Sequence, residues 1–149
     1  MISSRIILGW FCLSTVCCVT AGDVDLFERV EVETVDGCTD PVELSEEVLP
    51  EIENACGFCH VSESFGNLNF GDASGKLTAE SFVETLVDQP SLQSDKPLIE
   101  SGSEAGSYFV DRLLQRDASI MPPGGPSIDD DTLKALRCWV EQGATLEGD

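Results

Sequence analysis

Basic residues are scarce in this 149-residue chain: eight Lys and Arg stand against 28 Asp and Glu, for a formal charge of −20. That balance excludes nucleic acid as a partner, because binding phosphate needs a basic surface. It also opposes adsorption to anionic lipid. Histidine is scarcer still. His60 is the only one, which excludes a multi-His metal cage and makes any Ser-His-Asp mechanism depend on a single ring. Methionine occurs twice, as Met1 and Met121. Convincing strand alternation and internal repeats are both lacking, so the chain is expected to be all-α. Cysteine, by contrast, occurs seven times, and a hydrophobic content of 42% is enough for a globular core.

Residues 1–21 read as a cleaved secretory signal. Arg5 supplies the positive start, residues 6–19 are almost continuously apolar, and Val19-Thr20-Ala21 offers a small-residue cleavage site. The apolar run is shorter than the about 18 residues expected of a membrane span, so no stable membrane insertion is expected. The alternative is a protein tethered to the membrane by an uncleaved N-terminus. The segment holds one Arg and no acid, so its removal takes the formal charge from −20 to −21. Residues 22–37, alternating apolar and acidic, read as a flexible leader, and residues 38–149 as the one functional domain. Export places the chain in an oxidising, periplasmic compartment. Cys12, Cys17 and Cys18 leave with the signal, as does Met1, so the mature chain keeps one imidazole, one thioether and four thiols: Cys38, Cys56, Cys59 and Cys138.

Cys56-Gly57-Phe58-Cys59-His60 has the C-x-x-C-H spacing of c-type haem attachment. On one helical turn, Cys at i and i+3 face the same side and can bond the two vinyl-derived carbons at one porphyrin edge, while the adjoining His reaches the iron. Three other readings exist. A zinc site needs a second ligand pair, and Cys38 and Cys138 are isolated. A thioredoxin-like redox site expects a βαβ context. A Cys56–Cys59 disulfide leaves His60 without a role. Met121, in Ile120-Met121-Pro122-Pro123-Gly124-Gly125-Pro126, lies in a stretch too rich in Pro and Gly for helix or strand. Its sulfur is the one soft candidate for a second axial position; the alternative is a methionine that only fills a gap in the core.

Helical patterning surrounds these residues. Pro50 suits a first helical turn, in a helix running to about His60. Residues 81–88 carry Phe82, Val83, Leu86 and Val87 on one face, with a cap in Thr78-Ala79-Glu80-Ser81. Residues 105–115 place Phe109, Val110, Leu113 and Leu114 together. Residues 129–142 open with three aspartates, carry a Leu133, Leu136, Trp139 and Val140 stripe, and can end at Gly143.

Taken in order, the haem motif, the Met121-Pro122-Pro123-Gly124 loop and the closing Leu136-x-x-Trp139-Val140-x-x-Gly143-Ala144 resemble class I cytochromes c. They are similar in particular to the haem domain found in planctomycete proteins. Leu49-Pro50-Glu51-Ile52, Gly66-Asn67-Leu68-Asn69-Phe70 and Ser107-Tyr108-Phe109-Val110 extend the likeness over about residues 48–145. The resemblance implies a small helical domain wrapped around one covalent haem c. Cys56 and Cys59 would carry the thioethers, and His60 and Met121 would be the axial ligands of the haem iron. It departs from the family in two places. No proline lies between His60 and Pro90, so the acceptor for the imidazole Nδ1–H is unassigned. The usual Pro-Gly before the Ser-Tyr helix is replaced by Glu100-Ser101-Gly102.

Terminal helices pack together in class I cytochromes c, which makes a Cys38–Cys138 disulfide an expectation of the resemblance; two buried, inert thiols are the alternative. With both axial positions filled, iron keeps no site for substrate. The expected function is therefore electron transfer and not enzymatic turnover, in exchange with redox partner proteins; the acidic charge either steers a partner with a basic docking surface or only keeps an exported protein soluble. The alternative is a peroxidase-like haem enzyme or gas sensor in which Met121 leaves the iron open. A haem-free binding module held by zinc or a disulfide is the third reading.

Overall fold

The computed structural model describes residues 35, 37–63, 65–116, 120–124 and 127–146. The expected signal and nearly all of the expected leader lie outside the described residues. Among the described residues there are four α-helices and no strand, and they belong to one compact unit, Val32–Asp149. The all-α expectation holds at that level.

Helix α1, Leu49–Gly57, starts with Pro50 in its first turn, where a missing N–H leaves nothing unsatisfied. It is lengthened at both ends by wider, π-type turns, Leu44–Val48 before it and Phe58–Ser62 after it. Leu44, Val48, Leu49, Ile52, Cys56 and Val61 are the buried apolar side chains of this run. Helix α2, Ala79–Leu86, begins two residues earlier than its apolar face suggests. Thr78 and Ser81 cap it reciprocally, each side chain accepting the other's backbone N–H at 3.1 Å. It also stops earlier, because Val87 turns extended and pairs with Ile99 in an isolated bridge.

Helix α3, Tyr108–Leu114, is shorter than the expected 105–115. Residues 100–107 are turns: the Ser107 hydroxyl donates to the Ser103 carbonyl at 2.7 Å, and the Ser103 hydroxyl accepts the Gly106 N–H at 3.0 Å. Helix α4, Asp130–Glu141, is capped by Asp129, whose carboxylate accepts the Thr132 N–H at 2.9 Å. It ends as expected at Gly143, with φ +108 and the paired bonds Gly143 N–H to Val140 O and Ala144 N–H to Trp139 O.

Phe70, Phe82, Phe109 and Trp139 form the aromatic centre of the core, with Phe82 lying 5.5 to 6.0 Å from the other three ring centroids. Ile52, Leu86, Ile99, Leu136, Val110 and Val140 close it off from water. The start of the domain is tied to α4 twice. Cys38 and Cys138 form a disulfide across a sequence separation of 100. Beside it, the Gln142 amide accepts the Val42 N–H and donates to the Asp40 carbonyl at 2.7 Å.

A buried ion cluster has no counterpart in the sequence expectations. Glu104 is fully buried between Arg137 of α4, which grips both carboxylate oxygens, and Arg116, at 2.8 Å. Asp111 of α3, also buried, takes Lys96 at 2.6 Å, and the same ammonium donates to the Ala105 carbonyl. Burial pushes the Glu104 carboxyl up, but the hydrogen bonds and charges of Arg137 and Arg116 outweigh it and hold the carboxyl below the usual 4.5.

Two measurements check these anchors. Replacing both Cys38 and Cys138 by Ser opens a loop of about 100 residues and is expected to lower stability by about 4 kcal/mol in denaturant unfolding. A loss under about 1 kcal/mol would contradict a role for that closure. Glu104 gives stability that is present above pH 4.5 and lost as the pH falls through its lowered value. Glu104→Gln should therefore cost about 3–5 kcal/mol near neutrality and flatten the acid limb of the stability profile; an unchanged acid limb counts against the cluster.

Candidate functional site

The end of α1 and the wide turn after it carry Cys56, Cys59 and His60 on one continuous helical run. The spacing i, i+3 directs the two thiols to the same side, and both are free. Cys56 is buried, and that burial, reinforced by Cys59 and Glu51, pushes its thiol up to about 11. Cys59 is partly exposed, and Phe58 between them is open to solvent.

His60 is held on three sides by the segment that follows. The chain turns at Gly66, whose φ of +68 suits glycine, and runs back beneath the helix end. The Phe70 N–H bonds the His60 carbonyl at 2.8 Å, and the Phe70 ring stacks on the imidazole with centroids 5.5 Å apart. The Asn69 amide donates to the Val61 carbonyl at 3.2 Å and accepts the Gly71 N–H, which ties the returning segment to the same turn. The Leu68 carbonyl lies 3.0 Å from His60 Nδ1. A carbonyl can only accept, so Nδ1 carries a proton. In the neutral ring the lone pair is then on Nε2, the tautomer a metal-binding imidazole needs. The acceptor that the sequence left unassigned is this backbone oxygen. A main-chain atom has no side-chain signature, so sequence reasoning had nothing to find it by.

Met121 lies after α3, where its N–H donates to the Arg112 carbonyl at 3.0 Å. It is half-buried and lines a cavity of about 210 Å³ with Leu113, Ile120, Pro122, Ile128 and Leu133. His60 is not among the walls of that cavity. The structure thus brings Cys56, Cys59 and His60 together on one helical run and sets Met121 on a segment pinned to the last turn of α3. Cys38 and Cys138 are joined to each other.

The donor chemistry fits a covalently held haem. Two free thiols share one helical face, and the next residue is an imidazole whose Nε2 lone pair is available. The rival assignments fit less well. Cys38 and Cys138 are taken by their disulfide, which removes the second pair a zinc site needs. The strands of a thioredoxin-like site are lacking among the described residues. No protein-family model, curated protein or solved structure matches the chain.

The two thiols should differ when free. In the haem-free chain at pH 8, iodoacetamide is expected to modify Cys59 about tenfold faster than Cys56, because only the thiolate reacts and Cys56 is both buried and protonated. Peptide mapping by mass spectrometry reads the ratio; equal rates would contradict the burial of Cys56.

Proposed function

We propose that this chain is a monohaem electron carrier of the class I cytochrome c kind, exported to the periplasm. One haem c is held by thioethers to Cys56 and Cys59, with His60 and Met121 as the axial ligands. The observation that carries this reading is His60 itself: it is the C-x-x-C-H imidazole, and its Nδ1–H is committed to the Leu68 carbonyl at 3.0 Å. When bound, the haem supplies reversible one-electron chemistry at iron.

The chain's own residues account for the rest. Cys56 and Cys59 would hold the haem through thioethers, and His60 would bind its iron. Leu68 accepts from the ring and makes Nε2 a better donor, while Phe70 restricts rotation of the imidazole by stacking on it. Met121 supplies a soft thioether, a ligand that raises the reduction potential relative to a second imidazole. The large excess of acidic residues steers a basic redox partner, with association slowing as salt rises. With both axial positions taken, no substrate binds the iron, and the protein is a carrier and not an enzyme.

Three results test this together. After denaturing electrophoresis, the protein made in a host able to attach haem should stain for haem, and the Cys56→Ser/Cys59→Ser variant should not. The oxidised protein should show a weak sulfur–iron band at long wavelength that Met121→Ala removes. Ready binding of carbon monoxide by the reduced wild type would overturn His/Met ligation in favour of an open, sensor-like or peroxidase-like iron.

A further inference from the structure

Met121 is a residue whose place depends on what holds its loop. Its backbone has one described anchor, the bond from its N–H to the Arg112 carbonyl in the last turn of α3. That helix ends sharply: Gln115 is left-handed, with φ +56, and the Arg116 N–H returns to the Asp111 carbonyl at 3.0 Å. Arg116, which follows the left-handed residue, enters the buried ion cluster.

Arg116 donates to Glu104 at 2.8 Å and stands 3.7 Å from the second oxygen of Asp111. Glu104 is gripped from the other side by Arg137 of α4, and its own backbone N–H donates to the Glu141 carboxylate at 2.8 Å. Asp111 is secured by Lys96. Two buried carboxylates and three cations therefore lock the C-terminal turn of α3 to α4. The Arg112 carbonyl that receives Met121 lies in that same turn, one residue after Asp111. Arg112 also has a buried Nε without a partner, while its outer nitrogen donates to the Tyr108 hydroxyl at 3.1 Å.

A buried ion pair is a weak source of net stability, because desolvation offsets most of the attraction. Hydrophobic residues of the same volume would hold α3 to α4 at least as well. What charge adds is geometric specificity: the two-pronged grip of Arg137 on Glu104 admits one orientation. This chain commits three of its eight basic residues to that arrangement.

We propose that the Glu104–Arg116–Arg137 cluster is a positioning device for Met121, fixing the turn of α3 to which the ligand loop is pinned. The inference rests on the reading of Met121 as an axial ligand. Arg116 touches neither the iron nor its ligands; it acts through the helix end.

Amide hydrogen exchange on the full-length purified protein tests the positioning directly. In Arg116→Ala, the Met121 amide should exchange about tenfold faster, while the Phe82 amide, bonded to Thr78 in α2, keeps its wild-type rate. Arg116→Lys, which keeps a cation, should recover most of the protection. On the haem-bearing protein, added imidazole should displace the Met121 sulfur at a concentration about tenfold lower in Arg116→Ala than in wild type. The proposal is overturned if Met121 and Phe82 amides accelerate in step, which is a general loosening of the fold, or if neither changes. A protein without covalent haem would remove the ligand role and the proposed function with it. Loss of the amide effect alone would remove only the positioning role.

Discussion

The bond from His60 Nδ1–H to the Leu68 carbonyl ties the site to the fold. To deliver that oxygen the chain must reverse within eight residues of the histidine, which it does through the positive φ of Gly66 and the side-chain brackets of Asn69. The same reversal drops Phe70 into the centre of the core, where it meets Phe82 and Phe109 edge-on. The imidazole therefore rests on a ring that is itself buried against α2 and α3. Moving His60 would disturb the core, and loosening the core would free His60. That coupling is what a ligand held within a few tenths of an ångström requires, and it arises from packing with no need of charge.

Charge works elsewhere in the molecule. In a chain with so few cations, surface ion pairs would contribute little. Instead Arg116, Arg137 and Lys96 converge on two carboxylates that water does not reach. Through Glu104, Arg116 and Arg137 link the end of α3 to α4. The disulfide and Gln142 do the corresponding work at the start of the domain. The protein thus has two sets of anchors besides its aromatic core, one at the start of the domain and one at the end of α3.

Much of this architecture can be read in the sequence. Thr78, Asp129, Pro50 and Gly143 are caps and breaks whose chemistry is local, and each marks its helix end within about two residues. The motif at 56–60 is local too. What escapes sequence reading is set by distant partners. Helix α1 gives way to a wide turn in which Val61 is buried, and ahead of α3 the Glu104 N–H is held by the Glu141 carboxylate of α4. Glu104 looks like any other acid in an acidic stretch; only the fold shows that two arginines, 12 and 33 residues further on, meet it. The Leu68 carbonyl has no signature at all, and a search for the family's proline passes over it.

The central claim is that Cys56, Cys59 and His60 form a haem-attachment site and not a thiol pair. The intact mass of the protein, purified from a host that attaches haem, tests it most directly. The account predicts the mature chain carrying the mass of one haem, retained under denaturing and reducing conditions, and lost when Cys56 and Cys59 are replaced by Ser. A mass equal to the bare chain, with Cys56 and Cys59 either free or joined to each other, would contradict it.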